Sequence, residues 1–261
     1  MITSLSNSKV KLVRSLARRP VRYATEQFVV EGVRLVEEVM GAGITPALVF
    51  CTRAVEQEPR AAVLLERLRA VTPEVYAAGD AVMKAMSKAE TPPGILTVVP
   101  FMHLPIPPEP RFILILDAVR DPGNVGTILR GARAVGVDLV LFAPDTADPY
   151  NEKVVRAAMG AHFRVPLRVE HSWDAIAETV RDMARIYLAD ANGETEYTVV
   201  AWTRPLALII GGEAEGAGPP ARQVATARLR IPMQGDTESL NAAMAATLLL
   251  FEAARHREDA K

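Results

Sequence analysis

The stretch Phe112-Ile-Leu-Ile-Leu-Asp-Ala-Val-Arg-Asp-Pro-Gly-Asn-Val-Gly-Thr-Ile-Leu-Arg130 decides how the fold is read. Its first five residues are an unbroken apolar run, as in a parallel strand buried on both faces. Pro122 and Gly123 then enforce a turn. Asn124 can cap the helix that follows, and Gly126 lets another backbone come close. Val125, Ile128, Leu129, Ala132 and Val135 recur at helical spacing, and Arg130 and Arg133 lie off that stripe. The pattern repeats outward. Strands are predicted at 139–142, 186–189, 206–210 and 229–231, and helices over 151–159, 174–183 and 240–254. Strands alternating with helices through short turns predict an α/β domain with a mostly parallel sheet covered on both faces.

Upstream of this domain, Pro100-Phe-Met-His-Leu-Pro-Ile-Pro-Pro-Glu-Pro110 places five prolines in eleven residues. Proline cannot continue a helix or sit in a central strand, so the segment reads as a linker. It divides the 261 residues into a smaller α/β module over 1–100, a linker over 101–110 and the larger domain over 111–261. In the first module the apolar runs predict strands at 28–30, 47–50 and 95–99, with helices near 33–39 and 63–68. The opening Asn7 to Arg19 reads as a helix with Val10, Leu12, Val13, Leu16 and Ala17 on one face and Lys11, Arg14, Arg18 and Arg22 on the other. Two readings of that basic face stand side by side: a solvated helix surface, or a surface that binds phosphates.

With 30 basic and 31 acidic residues the net charge is −1, which taken alone argues against a nucleic-acid partner. The average conceals an asymmetry. Residues 1–22 hold six Lys or Arg and no Asp or Glu, while the other 24 basic residues face all 31 acids. A near-neutral chain can therefore present a basic edge. The single cysteine, Cys51, rules out an internal disulfide, and four dispersed histidines have no metal-ligand spacing. No apolar stretch is long enough to span a bilayer, and the start has no signal-type apolar core. The expectation is a soluble cytoplasmic protein without a metal.

Three glycine-bearing segments each follow a predicted strand, at the end of the sheet where ligands of open α/β folds collect. The first is the Asp117–Arg130 turn and helix. The second is Gly211-Gly-Glu-Ala-Glu-Gly216, which lacks the context of a dinucleotide fingerprint and the Lys of a P-loop. The third runs from Ile231-Pro-Met through Ser239-Leu-Asn241, where Ser239 or Asn241 can cap the last helix. Neither a paired-carboxylate nor a GxSxG arrangement is present.

Together, Asn124-Val-Gly-Thr-Ile-Leu-Arg130, Gly211-Gly-Glu-Ala-Glu-Gly216 and Ile231-Pro-Met with Ser239-Leu-Asn241 strongly resemble the SpoU/TrmH family of RNA ribose 2'-O-methyltransferases. Phe28-Val-Val-Glu-Gly-Val-Arg34 and the basic opening resemble the family's substrate-binding domain, which looks like ribosomal protein L30e. The resemblance implies a SPOUT-type domain with a deep trefoil knot, S-adenosyl-L-methionine as cofactor, no metal, and a homodimer. It implies catalytic roles for Arg130, Asn124, Glu213, Ser239 and Asn241. Cofactor contacts are implied at Leu208, Gly211, Gly212, Gly216, Ile231, Met233, Ser239 and Leu240. RNA contacts are implied at Lys9, Lys11, Arg14, Arg18, Arg22, Arg120, Arg130 and Arg133. One position departs from the pattern: many members carry Asn where this chain has Gly212. Asp121-Pro-Gly-Asn-Val-Gly126 is closer to the rRNA enzymes than to the tRNA enzymes, so the expected substrate is large-subunit rRNA. The alternatives are tRNA, rRNA methylation that protects against an antibiotic, or an RNA-binding protein that has lost transfer.

Overall fold

The computed structural model describes residues 1–213, 215–235 and 239–256. It divides into two compact units. One comprises Met1–Met102 with Tyr150–Phe163, the other His103–Pro149 with the remainder of the chain.

In the first unit the helices are α1 (Ser8–Ser15), α2 (Arg19–Thr25), α3 (Val33–Gly41), α4 (Arg53–Glu56), α5 (Pro59–Val71) and α6 (Asp80–Met86). The strands β1 (Gln27–Glu31), β2 (Leu48–Cys51), β3 (Val75–Ala77) and β4 (Ile95–Pro100) form a sheet in the order β1-β4-β2-β3. Alternation along the strands separates two cores. Phe28, Val30 and Val49 pack with Leu35, Val36 and Val39 of α3 and Leu64, Leu65 and Leu68 of α5. Val29, Phe50 and Val98 pack with Val10, Val13 and Leu16 of α1 and Val82, Met83 and Met86 of α6.

The opening helix is shorter than the sequence pattern suggests. It ends at Ser15, and a second helix starts at Arg19 with Pro20 in its first turn. Proline lacks an N–H and is tolerated only there, so it divides the segment. Arg22 is also not on the solvent face. It is buried, and its Nη1 donates to the carbonyls of Leu16 (2.7 Å) and Ala17 (3.0 Å) where α1 ends.

The first unit takes a contribution from far along the chain. Helix α8 (Glu152–Ala158) lies against it, and Arg156 Nη1 donates to Glu31 Oε1 at 2.7 Å. Glu31 is almost fully buried and also accepts from Ser87 Oγ at 2.5 Å. Tyr150 stacks on Phe101 with ring centroids 3.6 Å apart. Phe101 thus belongs to this unit's core, whereas Ile106, five residues on, packs into the core of the second unit.

The second unit contains β5 (Phe112–Asp117), α7 (Pro122–Val135), β6 (Leu139–Phe142), β7 (Leu167–Val169), α9 (Trp173–Val180), β8 (Ile186–Ala189), β9 (Thr195–Glu196), β10 (Leu206–Gly211), α10 (Pro219–Val224), β11 (Ala227–Arg230) and α11 (Ala242–Arg255). Among the described residues, seven strands form a sheet in the order β7-β6-β5-β10-β8-β11-β9, and every pairing is parallel. Phe112 to Leu116 are completely buried. Each such side chain contributes about 1.5–3 kcal/mol by leaving water, which is why an unbroken apolar run occupies the sheet's interior. Ile113, Ile115, Ala207 and Ile209 meet Ile176 and Val180 of α9 and Ala221 of α10. Helices α7 and α11 pack closely together, with Gly131 of α7 leaving room for Leu250.

One feature of the strand order shapes the site. β8 and β9 are joined by residues 190–194 only, yet β11 lies between them: Leu229 is in register with Ala189 on one side and Thr195 on the other. The connection therefore passes directly over β11. A Cβ on Gly193 would lie 2.7 Å from the Arg228 carbonyl oxygen, so only glycine fits at the crossing. Chains seldom pass beneath their own connections, and no periodicity rule predicts it.

Candidate active site

The carboxyl ends of β8, β10 and β11 open into a cleft of about 640 Å³. Its walls come from Asp190 and Asn192 of the crossing connection, residues 211–213 and 215–217, Arg222 of α10, Ile231 and Met233, and Ser239 and Leu240 with the start of α11. Gly211, Gly212, Gly216, Ile231, Met233, Ser239 and Leu240, all expected from the sequence, line it. Residues 214 and 236–238 of those segments lie outside the described residues. Leu208 does not line the cleft. It is completely buried in β10, two residues short of Ile210, which does. At about 3.3 Å per residue that sets it roughly 7 Å back from Ile210 along the strand.

Gly212 and Gly216 of the second glycine segment lie close together. Gly216 N–H donates to the Gly212 carbonyl at 3.1 Å, and Gly216 has φ +67°. A Cβ on Gly212 would collide with the carbonyl oxygen of Ala118, itself left-handed at φ +53°. The asparagine that the family resemblance leads one to expect here has no room in this chain as it stands. Next to Ala118, the buried Asp117 accepts from Gly218 N–H at 2.7 Å and from Trp173 Nε1 at 3.2 Å, holding the end of β5 to the start of α10.

Three expected residues from three separate segments meet beside the cleft. Asn124 Nδ2 donates to Glu213 Oε1 at 2.6 Å, and Asn241 Nδ2 donates to Asn124 Oδ1 at 3.0 Å. Asn241 Oδ1 in turn caps α11 by accepting from Ala243 N–H (2.9 Å) and Met244 N–H (3.3 Å). Of the two possible caps, Ser239 and Asn241, the structure uses Asn241, and the helix starts at Ala242 rather than 240. Helix α7 also differs from expectation. Its cap is Asp121, whose Oδ1 accepts from the Asn124 N–H at 2.8 Å, with Pro122 in the first turn. That leaves the Asn124 side chain free to join Glu213 and Asn241.

Arg130 is exposed on α7, six residues or about 9 Å beyond Asn124, with no hydrogen bond or ion pair to another described residue. Arg120 is exposed in the loop after β5, and Arg133 is partly buried in the last turn of α7. In the first unit Lys11, Arg14 and Arg18 are exposed. Lys9 instead pairs with Glu74 at 2.6 Å and lies over the Tyr76 ring. That contact raises the Lys9 pKa and lowers that of Glu74, mainly through the hydrogen bond between them.

Asp190, Asn192, Glu215 and Arg222, all in the cleft wall, were not among the site residues expected from the sequence. Asp190 directly follows a predicted strand, which is the available signal. Asp190-Ala-Asn-Gly193 looks like an ordinary turn, however, and Arg222 has no local mark.

The cleft suits S-adenosyl-L-methionine. Ile210, Leu229, Ile231, Leu240, Ala242 and Ala245 give an apolar wall for a purine, and glycine-rich backbone supplies close polar contacts. Glu213 and Glu215 complement a sulfonium and an ammonium group.

Residues 111–251 match the model of the SpoU rRNA Methylase family, and residues 7–97 match that of the MRM3-like substrate binding domain. The chain is similar to the 23S rRNA (guanosine(2553)-2'-O)-methyltransferase of Bacillus subtilis, with 32% identity over 96% of this chain and 97% of the relative. It is also 32% identical to the 23S rRNA (uridine(2479)-2'-O)-methyltransferase of Streptomyces viridochromogenes, over 93% of this chain and 87% of that one. The crystal structure of the AdoMet-bound rRNA methyltransferase from Sinorhizobium meliloti superposes with a TM-score of 0.85 at 28% identity, covering 99% of this chain and 98% of that one. Fold, cleft and relatives together define an S-adenosylmethionine-dependent RNA 2'-O-ribose methyltransferase. Within that class, the chain belongs to the SpoU rRNA methylase family.

Proposed function

We propose that this protein methylates the ribose 2'-hydroxyl of one nucleotide in large-subunit, 23S-type ribosomal RNA, acting in the cytoplasm as a homodimer. The observation that carries the reading is the Glu213–Asn124–Asn241 chain of hydrogen bonds beside the cleft, with Arg130 on the same helix as Asn124. The large-subunit substrate is supported by the 23S rRNA relatives that align along almost the full chain. The dimer is supported by α11, which leaves Met244 and Phe251 exposed seven residues, or two turns, apart on one face. The crossing of β11 beneath residues 190–194 supports the trefoil knot that the family resemblance implies.

Gly211, Gly212, Gly216, Ile231, Met233, Ser239 and Leu240 hold the cofactor in this reading, and Lys11, Arg14, Arg18 and Arg120 engage the RNA. When bound, S-adenosylmethionine supplies an activated methyl group and a neutral thioether leaving group. Arg130 binds the target nucleotide at its 2'-hydroxyl or adjacent phosphate. A guanidinium stays protonated at working pH, so Arg130 stabilises the developing oxyanion rather than removing the proton. The proton passes to the adjacent substrate phosphate as the new oxygen–carbon bond forms. Asn124, fixed between Glu213 and Asn241, holds the first turn of α7 and so the position of Arg130. Ser239 helps align the nucleotide with the cofactor.

Incubation of the purified protein with methyl-labelled S-adenosylmethionine and either 23S rRNA or tRNA tests the proposal. Label in a 2'-O-methylnucleotide of 23S rRNA is the expected result. Transfer to tRNA alone, or binding of RNA without transfer to either, overturns it. Arg130→Ala is expected to abolish transfer with cofactor binding retained, and full activity in that variant overturns the role given to Arg130.

A further inference from the structure

Asp190 is the first residue beyond β8, and its side chain is only 8% exposed although it lines the cleft. Every polar group it has is engaged. Oδ1 accepts from Asn192 N–H at 3.0 Å, and Oδ2 accepts from Arg222 Nη1 at 2.6 Å with Arg228 Nη1 3.7 Å away. The Asp190 N–H donates to the Leu229 carbonyl at 2.9 Å, and its carbonyl accepts from Gly193 N–H at 2.9 Å. Arg222 reaches the other way as well, with Nε donating to the Ala217 carbonyl at 3.1 Å. One carboxylate–guanidinium pair therefore joins the connection crossing β11, the end of the Gly211–Ala217 loop, and α10.

We infer that Asp190 and Arg222 are a positioning pair that sets the separation of the two cleft walls between which the cofactor is held. The inference rests on the cleft being the S-adenosylmethionine site. Both residues act through the backbone they fasten. The pair joins the wall built on β8 to the wall built on β10, and among the described residues no strand pairing does so at that level, because β8 and β10 pair only as far as Ala189 and Ile210. Gly193 is already in contact distance of β11, so the connection cannot move inward to compensate. Removing the guanidinium takes away the one charged hydrogen-bond donor on a nearly buried carboxylate and leaves only Arg228, 3.7 Å away, to offset its charge, which favours an outward, hydrated position of residues 190–193. Lysine cannot replace Arg222, since a single ammonium cannot span Asp190 and the Ala217 carbonyl with the guanidinium's two-sided geometry.

The test is calorimetric titration of S-adenosylmethionine into the full chain, free of RNA, alongside initial rates on 23S rRNA. Circular dichroism and the thermal midpoint report folding. Asp190→Asn and Arg222→Lys are each expected to weaken cofactor binding about tenfold, with the effect on rate falling in KM for S-adenosylmethionine rather than in kcat. The double variant Asp190→Asn with Arg222→Lys is expected to bind no more weakly than the worse single one, because the two residues act as a unit. Binding within twofold of wild type in both single variants, a fall confined to kcat, or additive losses in the double variant overturns the pair. Those outcomes leave the cofactor site standing as long as the wild-type chain binds S-adenosylmethionine. A wild-type chain that does not bind it overturns the site itself and the pair with it.

Discussion

Asn124 donates its side-chain amide to the Glu213 carboxylate at 2.6 Å, joining two residues that are 89 apart in sequence. The geometry requires an amide. Its nitrogen serves Glu213 while its oxygen accepts from Asn241, so both halves of the group are used.

Asn124→Ala is expected to lower kcat by about ten- to a hundredfold, somewhat less than the removal of a donor that touches the reacting oxygen directly. Asn124→Asp is expected to be worse, because a second carboxylate would face Glu213 and repel it. Steady-state methyl transfer measures both. Equal activity in the Asp variant and wild type would show that the hydrogen bond from Asn124 to Glu213 is dispensable.

Gly212 has no space for a side chain against the Ala118 carbonyl. Gly212→Ala and Gly212→Asn are both expected to weaken S-adenosylmethionine binding and to lower stability by about 1–3 kcal/mol, the usual cost of overpacking. Calorimetry and denaturant unfolding read the two effects. A gain of affinity in the Asn variant would mean that the loop rearranges freely.

The basic residues of the N-terminal segment separate by burial. Arg22→Ala removes hydrogen bonds to Leu16 and Ala17 and is expected to cost about 1.5–3 kcal/mol of stability without altering the salt dependence of RNA binding. Neutralising the exposed Lys11, Arg14 and Arg18 to Gln is expected to do the reverse. Stability should hold, while the slope of log affinity against log salt should flatten by about 0.7–0.9 for each phosphate that is no longer neutralised. Binding titrations at several salt concentrations decide between them. An unchanged slope in the triple variant removes this face from the RNA-binding surface.

Glu152 carries a raised pKa, first because burial disfavours its charge and second because the Glu31 carboxylate is nearby. The folded state therefore holds this proton more tightly than the unfolded chain does. The resulting stability is fully present below the unfolded value of about 4.3 and is lost as pH rises through the higher folded value. Glu152→Gln is expected to be more stable than wild type at pH 7, with the difference shrinking toward pH 4. Denaturant midpoints across that interval provide the check, and a difference that does not change with pH counts against the assignment.

The elements legible in the sequence were those with enough residues to show a period. The strands at 112–117, 139–142, 186–189 and 206–211, and helices α7 and α11, fall close to where hydrophobic spacing puts them. β3 has three partly buried residues and β9 has two, too few to display alternation. α6 and α10 are seven and six residues long and leave an equally faint trace. In the site, glycine marked the segments from Gly211 and Ile231 as ligand-approaching backbone. Asp190 and Arg222 bear no such mark, because their importance lies in each other.

By itself the sequence determined the local pieces: continuous apolar runs must be buried, glycine and proline must turn, and the first 22 residues concentrate positive charge. Only the tertiary structure decided which pieces meet. Hydrophobic period reports a residue's neighbours three or four positions away. It holds no information on whether β11 enters between β8 and β9, whether Arg22 turns inward to the end of α1, or whether Asn124 faces Glu213. Those outcomes follow from packing and backbone pairing across tens of residues, where the same local pattern is compatible with several partners and the whole chain selects one.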